Sequence, residues 1–266
     1  MITKTVNSLT PAPMALFELA FRPGFLGASW YSCIALSLWM LILQGQVQLP
    51  AAGLTASVWH LHEMVFGFAA LVAMSFLLTA SQTWTQLRSL HGPLLGVWCV
   101  LWLAARVLLW QDSLYLQYTA FALQLVWWLL GIGFLAQLLY RAGNRNLMLL
   151  PLLSIMMLVD ISMLIADITG YSPLALHLGR TSVLLFALLA GILGGRLIPL
   201  FTRSGSQALT RPAIIVATPR LTKALIACAI GTNVYAFSAF FTPLPFAPGY
   251  LMILLGGLQL AQLYQW

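Results

Sequence analysis

The run Trp59-His60-Leu61-His62-Glu63-Met64 sets two imidazoles, a carboxylate and a thioether at the head of a long apolar stretch, in a chain where 6% of residues are charged. Imidazole nitrogen and thioether sulfur are ligands for haem iron and copper, and a neighbouring carboxylate can orient an imidazole from behind. Further ionisable side chains interrupt other apolar stretches: Arg106, Asp160, Asp167, His177 and Arg180. An ionised group facing lipid costs from a few to more than about 10 kcal/mol, so these side chains are expected to turn inward and pair. Spacing limits what they can hold. His60 and Glu63 are three apart and His60 and Met64 four apart, which puts them on one face of a regular helix, whereas His62 points about 200° round from His60. On that geometry the two histidines cannot both ligate one small ion. Asp160 and Asp167 share a face with Met156 and Met163 beside Asp160, and His177 shares a face with Arg180.

Three readings of the histidines stay open from the residues alone. His60, His62 and His177 could hydrogen bond near the membrane interface, to backbone or to Glu63 and the aspartates. They could hold haem iron from different spans, with an arginine such as Arg106 or Arg180 on a propionate. Or an imidazole could hold copper together with a thioether such as Met64. Other chemistries are excluded more firmly. The His-Glu pair lacks the second histidine of HExxH, and no Walker A segment, GxGxxG fingerprint or GxSxG elbow occurs. Four histidines are too few for a haem–copper oxidase core. Cys33, Cys99 and Cys228 have no CxxC spacing and read as helix-packing thiols.

The elements that position these residues follow from composition. A chain of 266 residues that is 61% hydrophobic, with 10 Trp, exceeds what one soluble core can bury, so it reads as an integral membrane protein. Its net charge of +7 comes from basic residues spread along the chain, which suits membrane topology better than nucleic acid. Apolar runs long enough to cross hydrocarbon fall near 24–43, 57–80, 93–110, 114–139, 147–168, 174–200, 221–241 and 249–265, with the third and eighth the weakest. The expected fold is all-α, a single domain over 1–266 forming a polytopic bundle of about eight transmembrane spans.

Basic residues alternate between the connections. Lys4 and Arg22 precede the first span, Arg88 follows the second, Arg141 and Arg145 the fourth, and Arg203, Arg211 and Arg220 the sixth, while the intervening connections have none. Because Lys and Arg are retained inside, the N-terminus is expected to be cytoplasmic and to precede a retained signal anchor. That orientation places His60, His62, Glu63, Arg106, Asp160, Asp167, His177 and Arg180 in the outer half of the bilayer and predicts a polar chamber open to the outer side. At the inner side, Gly191, Gly194 and Gly195 allow close helix contact, Pro199 should bend or end the sixth span, and Arg196 and Arg203 either snorkel to lipid phosphates or bind an anion such as a propionate.

Four blocks resemble the NnrS family: Phe21-Arg22-Pro23-Gly24-Phe25, the run from Trp59 to Phe68, Phe76-Leu77-Leu78-Thr79-Ala80 up to Trp84-Thr85, and Gly194-Gly195-Arg196-Leu197-Ile198-Pro199-Leu200-Phe201-Thr202-Arg203. The second and fourth are the specific ones. The resemblance implies a bacterial inner-membrane protein that carries haem and copper and acts in nitric oxide metabolism and nitrosative stress. It carries His60, His62 and Glu63 over as ligand or ligand-support positions and matches Arg196 and Arg203 to a glycine-arginine motif, without saying which residue holds which cofactor. Members of the family are longer, so the chain is expected to be the N-terminal two thirds of such a protein.

The expected function is a membrane metalloprotein acting on nitric oxide or related small species, with the lipid bilayer as its surroundings and no nucleic acid partner. Whether it turns substrate over stays open. A secondary transporter or channel, with Asp160, Asp167, Arg106 and Arg180 as its polar pathway, is the alternative from another class. A cofactor-handling or regulatory protein without turnover is a third.

Overall fold

A computed structural model describes residues 15–206 and 219–264. Among these residues the chain is helical throughout, with eight long helices and no strand. They are α1 (Phe21–Leu43), α2 (Ala56–Thr85), α3 (Gly92–Leu108), α4 (Leu114–Arg141), α5 (Leu149–Ile168), α6 (Ser172–Ser206), α7 (Pro219–Ser238) and α8 (Gly249–Tyr264). Each coincides with one expected apolar run. Six of them are long and apolar enough to cross a membrane, and α3 and α8 are shorter apolar helices. Lipid is the natural solvent of the outward faces: Trp30, Ile34 and Met40 of α1 are exposed, as are Tyr250 and Ile253 of α8.

Two expectations need correction. Pro199 does not end the sixth helix, which runs on unbroken to Ser206. A proline ring crowds the carbonyl four residues before it, here that of Gly195. In hydrocarbon a broken helix would strand more carbonyls than the proline does. The second helix, in turn, is not regular. It is α-helical from Ala56 to His62 and then widens into a π-helix over Glu63–Ala69 before resuming. Such wide turns are rare and recur at functional sites.

The chain divides into two compact units, up to Leu176 and from His177 onward, the division falling within α6. In the first unit, α1 lies along α2, the second half of α2 along α4, and α4 between α3 and α5. Small residues set the first of these contacts. Gly24, Ala28 and Ala35 are the buried positions of α1, and a Cβ on Gly24 would collide with the Ser75 side chain of α2. Tyr31 falls on the same stripe and is carried towards α2 by it. Aromatic packing fixes the centre: the Trp98 and Trp127 rings stack at 4.8 Å, Trp98 Nε1 donates to the Trp127 carbonyl at 3.1 Å, and Trp128 is fully buried beside them. In the second unit α7 and α8 pack against each other.

Candidate functional site

The π-helical turn of α2 delivers His62 and Glu63 into the interior of the first unit, where both are fully buried. His62 ends the α-helical part and Glu63 begins the wide turn, and the two side chains pair across that junction. His62 Nδ1 lies 2.8 Å from Glu63 Oε1, and His62 Nε2 lies 2.9 Å from Asp160 Oδ1 on α5. The imidazole is thus held between two carboxylates. Glu63, expected on the face of His60, reaches its neighbour His62 with one oxygen and, with the other, Tyr31 of α1, the helix whose Trp39 also meets His60.

Each carboxylate has further partners. Gln124 Nε2 and Trp128 Nε1, one turn apart on α4, both donate to Asp160 Oδ2 at 2.7 Å. The Tyr31 hydroxyl of α1 donates to Glu63 Oε2, and Arg106 Nε of α3 stands 3.3 Å from the same oxygen. Arg106 also donates from Nη2 to Gln124 Oε1 at 2.8 Å, which closes the ring of contacts. Buried charges are tolerated when paired and hydrogen bonded in this way. Two carboxylates face one guanidinium and one imidazole, so a protonated His62 would make the set neutral. The side chains come from α1, α2, α3, α4 and α5, so one network ties the whole unit together.

Gly67 and Trp102 complete the wall. Trp102 Nε1 donates to the Gly67 carbonyl at 3.0 Å, and its ring meets Tyr31 edge-on at 5.1 Å. A Cβ on Gly67 would come within 2.5 Å of Glu63 Oε2, 2.9 Å of Tyr31 Cε1 and 3.4 Å of Arg106 Nη1. Only glycine leaves room there for carboxylate, phenol and guanidinium to meet.

The other expected site residues lie elsewhere. His60 points away from His62, as its spacing required, and its ring stacks on Trp39 of α1 at 4.3 Å with planes 8° apart. Among the described residues, its Nδ1 is buried without a hydrogen-bond partner. Met64, four residues on, is half-buried. Asp167 serves the start of α2: its Oδ2 accepts from the Thr55 backbone N–H at 2.7 Å and its Oδ1 from the Thr55 hydroxyl at 3.0 Å. That is a helix cap supplied from α5. Among the described residues, the network side chains are sealed from solvent and paired with one another, with Arg106 Nε and Nη1 left without a hydrogen bond, and do not line the open chamber expected of them.

In the second unit, His177 Nε2 lies 2.9 Å from the Phe237 carbonyl, with the rings of Phe237, Phe240 and Phe241 around it. A ring nitrogen facing a carbonyl must donate, which leaves Nδ1 of His177 as the lone-pair nitrogen. Arg180, Arg196 and Arg203 are exposed along α6.

Three residues of the network were missed: Tyr31, Gln124 and Trp128. A signal for two of them was present, since Gln117 and Gln124 are polar, seven apart in an apolar span, and Trp128 follows Gln124 by one turn. Both glutamines are fully buried.

As ligands the histidines differ. Both ring nitrogens of His62 are committed to carboxylates, so in this arrangement it has no lone pair to offer. His60 has a ring held flat by Trp39 and a buried nitrogen that nothing satisfies, and His177 has one nitrogen anchored and one left over; these two fit an imidazole ligand. Among the described residues, no three of His, Cys, Asp and Glu gather to hold a metal ion.

The family described as NnrS protein matches residues 15–266. The chain belongs to the NnrS family. No curated protein and no solved structure matches it. Within this NnrS chain, the family-like blocks fall on distinct parts of the fold. The Trp59 to Phe68 block is the α-to-π transition of α2, and the block from Gly194 to Arg203 is the part of α6 that runs through Pro199.

Proposed function

We propose that this NnrS protein is a multi-pass metalloprotein of the bacterial inner membrane, with its N-terminus cytoplasmic and the His60 end of α2 outward, acting in the nitric oxide and nitrosative-stress response. The observation that carries the reading is the contrast between adjacent imidazoles: His62 is saturated by Glu63 and Asp160, while Nδ1 of His60 is buried without a partner. A buried polar atom left unsatisfied costs about 1–3 kcal/mol, which a ligand at the ring would recover. Haem iron or copper, when bound, supplies the redox centre at which a nitrogen oxide is held or converted.

The chain's own residues have separable roles. His60 provides the imidazole and Trp39 fixes its plane. Met64 offers a thioether on the same helix, suited to copper. In the second unit, taken by itself, His177, oriented by the Phe237 carbonyl, offers a separate imidazole, and Arg180 a cation for a carboxylate-bearing cofactor. Glu63, Asp160, Arg106 and His62 hold the π-helical turn that sets where His60 stands, and so act on the ligand through the backbone.

Iron and copper contents of the purified protein test the reading. Bound metal that is lost on His60→Ala, in a protein that still elutes as a single species, is the expected result, with His177→Ala reporting separately on the second unit. Unchanged metal after replacing His60, His62 and His177 together by alanine would overturn it. A second reading, a transporter or channel, draws on the buried His62, Glu63, Asp160 and Arg106, since such groups in spans mark proton or ion pathways. It predicts flux in proteoliposomes that is independent of metal and abolished by Asp160→Asn.

A further inference from the structure

The second unit carries Arg180, Arg196, Arg203, Arg211, Arg220 and Lys223 and not one aspartate or glutamate. All five acidic residues of the chain belong to the first unit. Of these, Glu63 and Asp160 are committed to the network, Asp167 to Thr55 and Asp112 to the backbone N–H of Ala52. No acidic side chain for these cations comes from within the unit itself.

A groove of about 490 Å³ opens between α6, α7 and α8. Its length is aliphatic, from Leu184 and Leu188 of α6 to Leu225 of α7 and Leu255 of α8. Its floor along α6 includes Gly191, Gly194 and Gly195, where missing side chains leave the depth. One end is polar. Arg196, Thr222 and Gln262 line it, and Gln262 Nε2 donates to Thr222 Oγ1 at 3.0 Å. Along α6 the distance from Leu184 to Arg196 is roughly 18 Å at 1.5 Å per residue. Arg220 and Lys223 are exposed in the first turns of α7, at this same end, and Arg203 lies two turns beyond Arg196 on α6.

We propose that this groove holds one acyl chain of an anionic phospholipid, with the headgroup phosphate at the Arg196 end. The shape argues for a lipid over a free anion, because a small phosphate would leave the long apolar trough unfilled. The charge argues for an anionic headgroup over a zwitterionic one: the unit offers several cations to a phosphate and no carboxylate to an ammonium. Basic residues at that end also match the anionic leaflet that the topology places beside them.

The test uses the full chain in detergent, titrated with phosphatidylglycerol or phosphatidylethanolamine and read by native mass spectrometry. Phosphatidylglycerol should be retained about fivefold better, the effect of one cation at a membrane surface. Arg196→Gln should abolish that preference while leaving retention of phosphatidylethanolamine unchanged. Gly195→Leu, whose added Cβ meets nothing within 4 Å, should fill the groove and lower retention of both lipids. Gly231→Leu, on α7 outside the groove and equally unobstructed, should change neither. Equal retention of the two lipids by the unaltered chain would overturn the proposal, as would unchanged retention in both groove variants. Displacement of the lipid by inorganic phosphate at equal concentration, or a haem that leaves with Arg196→Gln and Gly195→Leu, would overturn it in favour of a free-anion or a haem site.

Discussion

His62 and Asp160 are 98 residues apart in the chain, yet His62 Nε2 lies 2.9 Å from Asp160 Oδ1 and neither side chain is exposed. This contact clamps the head of α2 to the middle of α5. It also decides which of two neighbouring histidines is free for other chemistry.

Asp160 is the node of the network, so its loss should be costly. Asp160→Ala leaves His62 Nε2, Gln124 Nε2 and Trp128 Nε1 without their acceptor, and breaking a buried charged pair costs about 3–5 kcal/mol. Chemical denaturation in detergent should show a loss of that size. Leu158→Ala, an outward position on the same helix, should cost far less. Equal losses would mean that the network contributes nothing specific.

Trp128 acts through one hydrogen bond, and a cycle can isolate it. Trp128→Phe removes the donor to Asp160 and should cost about 1–3 kcal/mol. In an Asp160→Ala background the same substitution should cost less by at least about 0.5 kcal/mol, because its partner is already gone. Strict additivity would contradict the contact.

Gly67 is predicted to reject even a methyl group. Gly67→Ala puts a Cβ 2.5 Å from Glu63 Oε2 and 2.9 Å from Tyr31 Cε1, so the Tyr31 to Glu63 contact must give way. The expected cost is about 1–3 kcal/mol, as for other overpacked interiors. Gly133→Ala, on an exposed face of α4 with nothing within 4 Å, should instead be neutral or stabilising by up to about 1 kcal/mol, because alanine favours the helix.

Much of this was legible in the sequence. The eight apolar runs coincide with helices because hydrophobicity and length are read directly from the chain, and six of these helices are long and apolar enough to cross a membrane. The divergence of His60 and His62 followed from helical rotation. The pairing of Glu63 was not legible, since the π-helical turn at Glu63–Ala69 changes the rotation per residue and no local residue announces it. Asp167 was read into a polar chamber because one sequence does not show that Thr55, 112 residues earlier, begins a helix against it. Tyr31 escaped notice because a tyrosine near an apolar run looks like an interface residue, although Gly24, Ala28 and Ala35 mark the buried stripe on which it sits.

Asp167 should therefore matter for folding and not for cofactor content. Asp167→Ala removes the acceptor for the Thr55 N–H and should cost about 1 kcal/mol, the usual value of a lost cap. Metal content per folded molecule should stay unchanged. A loss of metal proportionally larger than the loss of folded protein would return Asp167 to the site.

The most direct measurement is the reduced-minus-oxidised absorption spectrum, with iron and copper analysis, of the purified chain beside His60→Ala and His62→Gln. The account predicts that His60→Ala loses the bound metal signal at nearly unchanged stability. His62→Gln should keep the signal in whatever fraction folds, while lowering stability. A signal that survives His60→Ala and vanishes with His62→Gln in a folded protein would contradict it.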